Sequence, residues 1–102
     1  MIRAVSIIAA FAAVAFVTVA AQAGSKGEQI FMQKCAMCHI VNGKGGSIGP
    51  DLSKVAARMK ETALKAQLEN PKKKNPSTSM PSFKALAKGD MNALLGYLKT
   101  LK

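Results

Sequence analysis

Cys35-Ala36-Met37-Cys38-His39 constrains this chain more than any other stretch. It reads Cys-x-x-Cys-His, the pattern of covalent c-type haem attachment. Two thiols three positions apart can each reach one vinyl group of a single porphyrin. The next residue then offers its imidazole to the iron. The sequence has two cysteines and one histidine, all inside this pentapeptide. Other uses of the pattern fit less well. A structural zinc site takes four Cys or His ligands, and only these three exist. A thioredoxin-like dithiol sits beside a βαβ pattern, and no alternating β-branched run is present. A plain Cys35–Cys38 disulfide is the third alternative.

The amino-terminal segment has a different character. Arg3 gives a positive start, and an apolar run from Ala4 to Ala21 is broken only by Ser6 and Thr18. Ala21-Gln22-Ala23 then offers small residues at both ends of a cleavage triplet. The expected organisation is a signal peptide over 1–23 and one domain over 24–102, with Gly24 first in the mature chain. An uncleaved membrane anchor is the alternative, because the run approaches spanning length. A domain this small has trouble burying enough apolar surface by itself. A covalently held porphyrin would supply an apolar body at its centre. Export and haem therefore support each other, since c-type haem is attached outside the cytoplasm. The expected location is the periplasm.

Charge bears on partners. Fifteen Lys and Arg stand against five Asp and Glu, and only Arg3 leaves with the first segment. Such a basic surface suits an acidic partner or membrane face. Nucleic acid is the competing reading. It fails on compartment and on the shortage of aromatic rings for stacking.

Helical spacing organises most of the rest. Ser25-Lys26-Gly27-Glu28 fits a capping box, followed by Gly27, Ile30, Phe31, Cys35 and Cys38 on one face. This predicts a first helix ending near Cys38 or His39. Asn42 to Gly49 is glycine-rich and reads as a loop. Leu52, Val55, Ala56 and Met59 predict a short helical turn or two. Glu61 to Glu69 predicts a helix with Leu64 and Leu68 inward, stopped at Asn70-Pro71. Lys72 to Phe83 reads as an irregular loop, and Lys84 to Ala87 as a single turn. Met91, Leu94, Leu95, Leu98 and Leu101 mark one apolar face of a last helix. Asp90 suits its start, and Lys99 and Lys102 its end.

In order, Gly27 with Phe31, Cys35-x-x-Cys38-His39, Gly49-Pro50-x-Leu52, Ser79-Met80-Pro81-x-Phe83 and Leu94-x-x-Tyr97-Leu98 form a set. By that set the chain from Gly24 to Lys102 resembles the small single-haem class I c-type cytochromes of bacterial periplasms. The resemblance implies an all-α small cytochrome c fold, with three to five helices wrapped around one covalently bound haem c. It implies thioether bonds from Cys35 and Cys38 and iron ligation by His39. It places the Pro50 carbonyl on the far nitrogen of His39, fixing the imidazole tautomer. It makes Gly27 the close-packing glycine where the first and last helices cross, against Tyr97. The family commonly caps its last helix with Ser or Thr. Here Ala87-Lys88-Gly89-Asp90 has no such hydroxyl, so the start of that helix is open.

The sixth ligand is weighed among the methionines. Met32 and Met37 sit beside the cysteines, too close in sequence to reach the opposite haem face. Met59 and Met91 lie on amphipathic patterns, where Met usually fills core. Met80 lies in an extended loop just before Pro81, so Met80 is the expected ligand. Arg58 is a candidate for a haem propionate or an ordinary surface residue. Lys72-Lys73-Lys74 is a candidate docking patch or a solvated loop.

The function these features imply is one-electron transfer between redox proteins, by a monomer that is not an enzyme. Donors and acceptors would be acidic at the docking surface. A membrane-tethered redox module is one alternative. A haem enzyme or gas-binding protein with an open sixth site is the other.

Overall fold

The computed structural model describes residues 25–102; the expected signal segment and Gly24 lie outside the described residues. Helix α1 spans Lys26–Lys34. The Ser25 hydroxyl accepts the Glu28 amide at 3.0 Å, so the predicted cap is in place. Gly27, Ile30 and Phe31 form its buried face. The helix ends earlier than predicted, at Lys34. The Cys35 and Ala36 amides both bond the Phe31 carbonyl, at 2.8 and 3.0 Å. The Cys38 and His39 amides both turn back to the Cys35 carbonyl, at 3.1 and 3.0 Å. These irregular turns carry His39 off the helix, which periodicity alone does not reveal.

A hairpin follows, with β1 over Ile40–Val41 and β2 over Lys44–Gly45. The strands are antiparallel, Ile40 opposite Gly45 and Val41 opposite Lys44. Asn42 and Gly43 make the turn at φ 52 and 81. Both lie in the left-handed region, the preference of an Asn-Gly hairpin turn. The loop reading of this stretch is corrected to that extent, and the fold remains mostly helical. Helix α2 covers Val55–Arg58 and α3 covers Glu61–Glu69, as the spacing predicts. Pro71–Lys73 form a 3₁₀ turn where an irregular loop was expected.

Helix α4 spans Lys88–Leu98 and starts without a side-chain cap at Ala87. It crosses α1 at Gly27, where a Cβ would overlap the Ala93 carbonyl oxygen and lie 2.8 Å from Tyr97 Cβ. Only glycine lets the two backbones approach this closely. Beside the crossing, the Phe31 and Tyr97 rings stand 5.5 Å apart. Lys26 pairs with Asp90 at 2.9 Å across it. Lys99 reaches Glu61 at 2.7 Å, with both side chains about half exposed, so that pair adds little stability. The Ala56 amide bonds the Leu101 carbonyl at 2.7 Å and ties the carboxyl-terminal end to α2. Phe31, Leu94 and Val55 are the most buried large side chains. No helix among the described residues is long and apolar enough to cross a membrane.

The crossing gives a direct test. Gly27→Ala should lower the unfolding free energy by about 1–3 kcal/mol, because the overlap is with backbone. Gly96→Ala, on α4 with nothing within 4 Å of its Cβ position, should raise it by about 0.5–1 kcal/mol. Denaturant unfolding of both variants reads the difference. A Gly27→Ala protein as stable as the parent would contradict the close crossing.

Candidate functional site

Cys35, Cys38 and His39 of the pentapeptide line a cavity of about 480 Å³. That volume lies within the range of small-molecule and cofactor pockets. Cys35 is buried, while Cys38 and His39 are partly buried, and the two cysteines form no disulfide with each other. Burial pushes the Cys35 thiol up to about 11, opposed by nearby Lys34 and reinforced by Cys38. No group of three or more His, Cys, Asp or Glu able to hold a metal ion occurs among the described residues.

The glycine-rich stretch after the hairpin threads across the pentapeptide. The Gly46 amide bonds the Ala36 carbonyl at 2.8 Å, and the Gly49 amide bonds the Cys38 carbonyl at 2.7 Å. A Cβ on Gly49 would lie 2.5 Å from His39 Cε1, so the imidazole fits only against a glycine. His39 Nδ1 donates to the Pro50 carbonyl at 2.8 Å. A carbonyl only accepts, so Nδ1 is the protonated nitrogen. Nε2 is left free to act as a ligand.

The loop around Met80 contributes Thr78, Ser79, Met80 and Pro81 to the lining. Met80 lines the same cavity as His39 and the two cysteines. Gln67 Nε2, on α3, donates to Met80 Sδ at 3.9 Å. The Met80 amide bonds Thr78 Oγ1 at 3.2 Å. Ser82 Oγ donates to the Glu69 carbonyl at 2.6 Å, and the Phe83 amide bonds the Leu68 carbonyl at 2.8 Å. These bonds fasten the loop to α3. Leu52, Val55, Leu64, Leu68 and Phe83 complete an apolar lining.

The remaining methionines separate. Met32 and Met37 are exposed, and Met91 lies in the core. Met59 lines the cavity as well, a placement its amphipathic pattern did not indicate. Gln67 was also missed, although it falls three positions after Leu64 on the inward face of α3. Arg58 lies at the cavity wall, and its Nη2 donates to the Asp51 carbonyl at 3.1 Å. Lys34 and Lys74 line the cavity too, whereas Lys72 and Lys73 are exposed outside it.

The residues present fit an iron porphyrin. The site has an apolar slot, two thiols on one wall, an imidazole of fixed tautomer held against a glycine cradle, and a thioether on the Met80 loop. Comparison with known proteins agrees. The chain belongs to the cytochrome c family, whose model, described as Cytochrome c, matches residues 24–102. The family binds covalently attached haem c, so haem c is the cofactor here, and membership supports a haem-based electron carrier.

Among curated relatives, the cytochrome c of Gibberella zeae is 35% identical, covering 72% of this chain and 90% of its own length. The cytochrome c of Nigella damascena is 36% identical, covering 74% and 86%. The cytochrome c oxidase subunit 2 of Alkalihalophilus pseudofirmus is 29% identical over 76% of this chain. The matched region spans only 25% of that larger protein.

Proposed function

We propose that this protein is a one-electron carrier of the periplasm, with haem bonded to Cys35 and Cys38 and ligated by His39 and Met80. One observation carries the reading: a tautomer-fixed His39 and a fastened Met80 loop share one cavity with both cysteines. When bound, the haem supplies the ferric–ferrous couple. The chain does the rest. Cys35 and Cys38 hold the group in place. Pro50 orients His39 and makes it a better donor. A thioether sixth ligand favours the reduced state and raises the potential. The apolar lining would keep water from a haem held there. One electron enters from a reduced partner and leaves to an oxidised one, with no covalent bond broken.

The sixth ligand is tested by substitution. Met80→Ala should remove the weak red charge-transfer band of a ferric His/Met haem. It should also lower the potential by something on the order of 0.1 V, a modest part of the span that axial ligands command. Met59→Leu should leave both nearly unchanged. A spectrum unaffected by Met80→Ala would return the open-site alternative, a haem enzyme or gas-binding protein.

Export is tested by the amino terminus. Purified holo-protein should begin at Gly24 and be recovered from the periplasmic fraction. Intact Met1 in a membrane fraction would favour the tethered module.

The partners we infer are redox proteins acidic at their docking surface, met by a monomer. The support is the large excess of Lys and Arg, with Lys74 at the cavity and Lys72 and Lys73 exposed beside it. Such charge speeds encounter more than it prolongs the complex. Screening shortens the field to roughly 10 Å at 0.1 M salt. Reversing Lys72, Lys73 and Lys74 to Glu should slow transfer to an acidic partner roughly tenfold at low salt and flatten the salt dependence. The measurement is the second-order rate against ionic strength. Equal rates and equal slopes would show that the lysine run is only a solvated loop.

A further inference from the structure

His39 opens a short stretch that lies alongside residues 50–53. His39 Nδ1 donates to the Pro50 carbonyl at 2.8 Å. The Leu52 amide donates to the Ile40 carbonyl at 2.8 Å. The Asn42 amide donates to Ser53 Oγ at 2.8 Å. Partners advance in the same direction along both segments, so these are three rungs of one ladder. The first rung is the imidazole, and the last is the serine hydroxyl.

Ser53 is itself held. Its hydroxyl donates to Asp51 Oδ1 at 2.6 Å, and its amide donates to the same oxygen at 2.8 Å. These two bonds, opposed by desolvation and helped least by Arg58, hold the Asp51 carboxyl below the ordinary carboxylate range, so it stays an ionised acceptor. Arg58 Nη2 holds the Asp51 carbonyl at 3.1 Å. The Pro50 carbonyl belongs to the peptide plane that ends at the Asp51 nitrogen. Asp51 is therefore fixed at its side chain and at its carbonyl, which anchors the residue that follows that plane.

We propose that Ser53 is a positioning residue for His39: fastened by Asp51, its hydroxyl locks the far end of the ladder and keeps the Pro50 carbonyl on His39 Nδ1. The consequence is electronic as well as structural. A bond at Nδ1 raises the basicity of the imidazole and so favours ferric iron. Loosening it weakens the donor and moves the potential upward. This inference rests on the haem reading of the site.

The test uses holo-protein carrying Ser53→Ala or Ser53→Thr. In the ferrous state, exchange of the His39 Nδ1 proton, followed by nuclear magnetic resonance, should become roughly fivefold faster in Ser53→Ala. The midpoint potential should rise, while the absorption spectrum of the ligated haem is retained. Ser53→Thr keeps the hydroxyl and should restore both readings. Lower stability in Ser53→Ala with unchanged exchange and potential would overturn the proposal and leave Ser53 an ordinary turn residue. Should Ser53→Ala yield no holo-protein, Asp51→Asn and Arg58→Lys should give weaker shifts in the same two directions, and the absence of any shift in both overturns it. Failure of the ligand reading is distinguishable, because it shows in the spectrum of the unsubstituted protein, and proton exchange at His39 still tests Ser53.

Discussion

The hydrogen bond from His39 Nδ1 to the Pro50 carbonyl is the contact on which the rest of the site depends. It decides the tautomer, and the tautomer decides which nitrogen can ligate. The neighbouring structure serves that contact. The turns after Lys34 bring His39 off the helix, and the Gly49 cradle accepts its ring. The ladder between residues 39–42 and 50–53 holds the carbonyl in place. At the same cavity, α3 fixes the Met80 loop through Gln67, Leu68 and Glu69.

Size explains why the helices take this arrangement. A domain of this length has little apolar area to bury, so its elements must share one centre. Helices α1 and α4 meet through Gly27 against Ala93 and Tyr97, and Ile30 and Phe31 of α1 share one core with Leu94 of α4. Residues Leu52, Val55, Leu64, Leu68, Phe83 and Leu98, drawn from α2, α3, α4 and the intervening loops, line the cavity. Haem c, as the family's covalent cofactor, would join those faces into a continuous core. Fold and cofactor site are thus one structure, and substitutions that disturb the centre act on both.

Much of this was legible in the sequence where the chemistry is local. The pentapeptide announces itself because thiols and imidazole must be close along the chain. Helix α3 was bounded correctly by its apolar spacing and by Asn70-Pro71. Met80 stood out because Pro81 keeps its loop extended. Contacts between distant segments were harder to see. Asn42-Gly43 carried a hairpin signal that was masked by the glycine-rich loop around it. The early end of α1 follows from two amides competing for the Phe31 carbonyl, which spacing cannot show. Gln67, Ser53 and Met59 are ordinary residues by pattern, and only their placement against Met80, Asp51 and the cavity gives them a role.

The central claim is that the iron lies between His39 and Met80. X-ray absorption at the iron edge of the holo-protein tests it most directly, in both redox states. The account predicts a six-coordinate iron with nitrogen scatterers and a single sulfur in each state. A coordination shell of nitrogen and oxygen alone, or a five-coordinate iron, would contradict it.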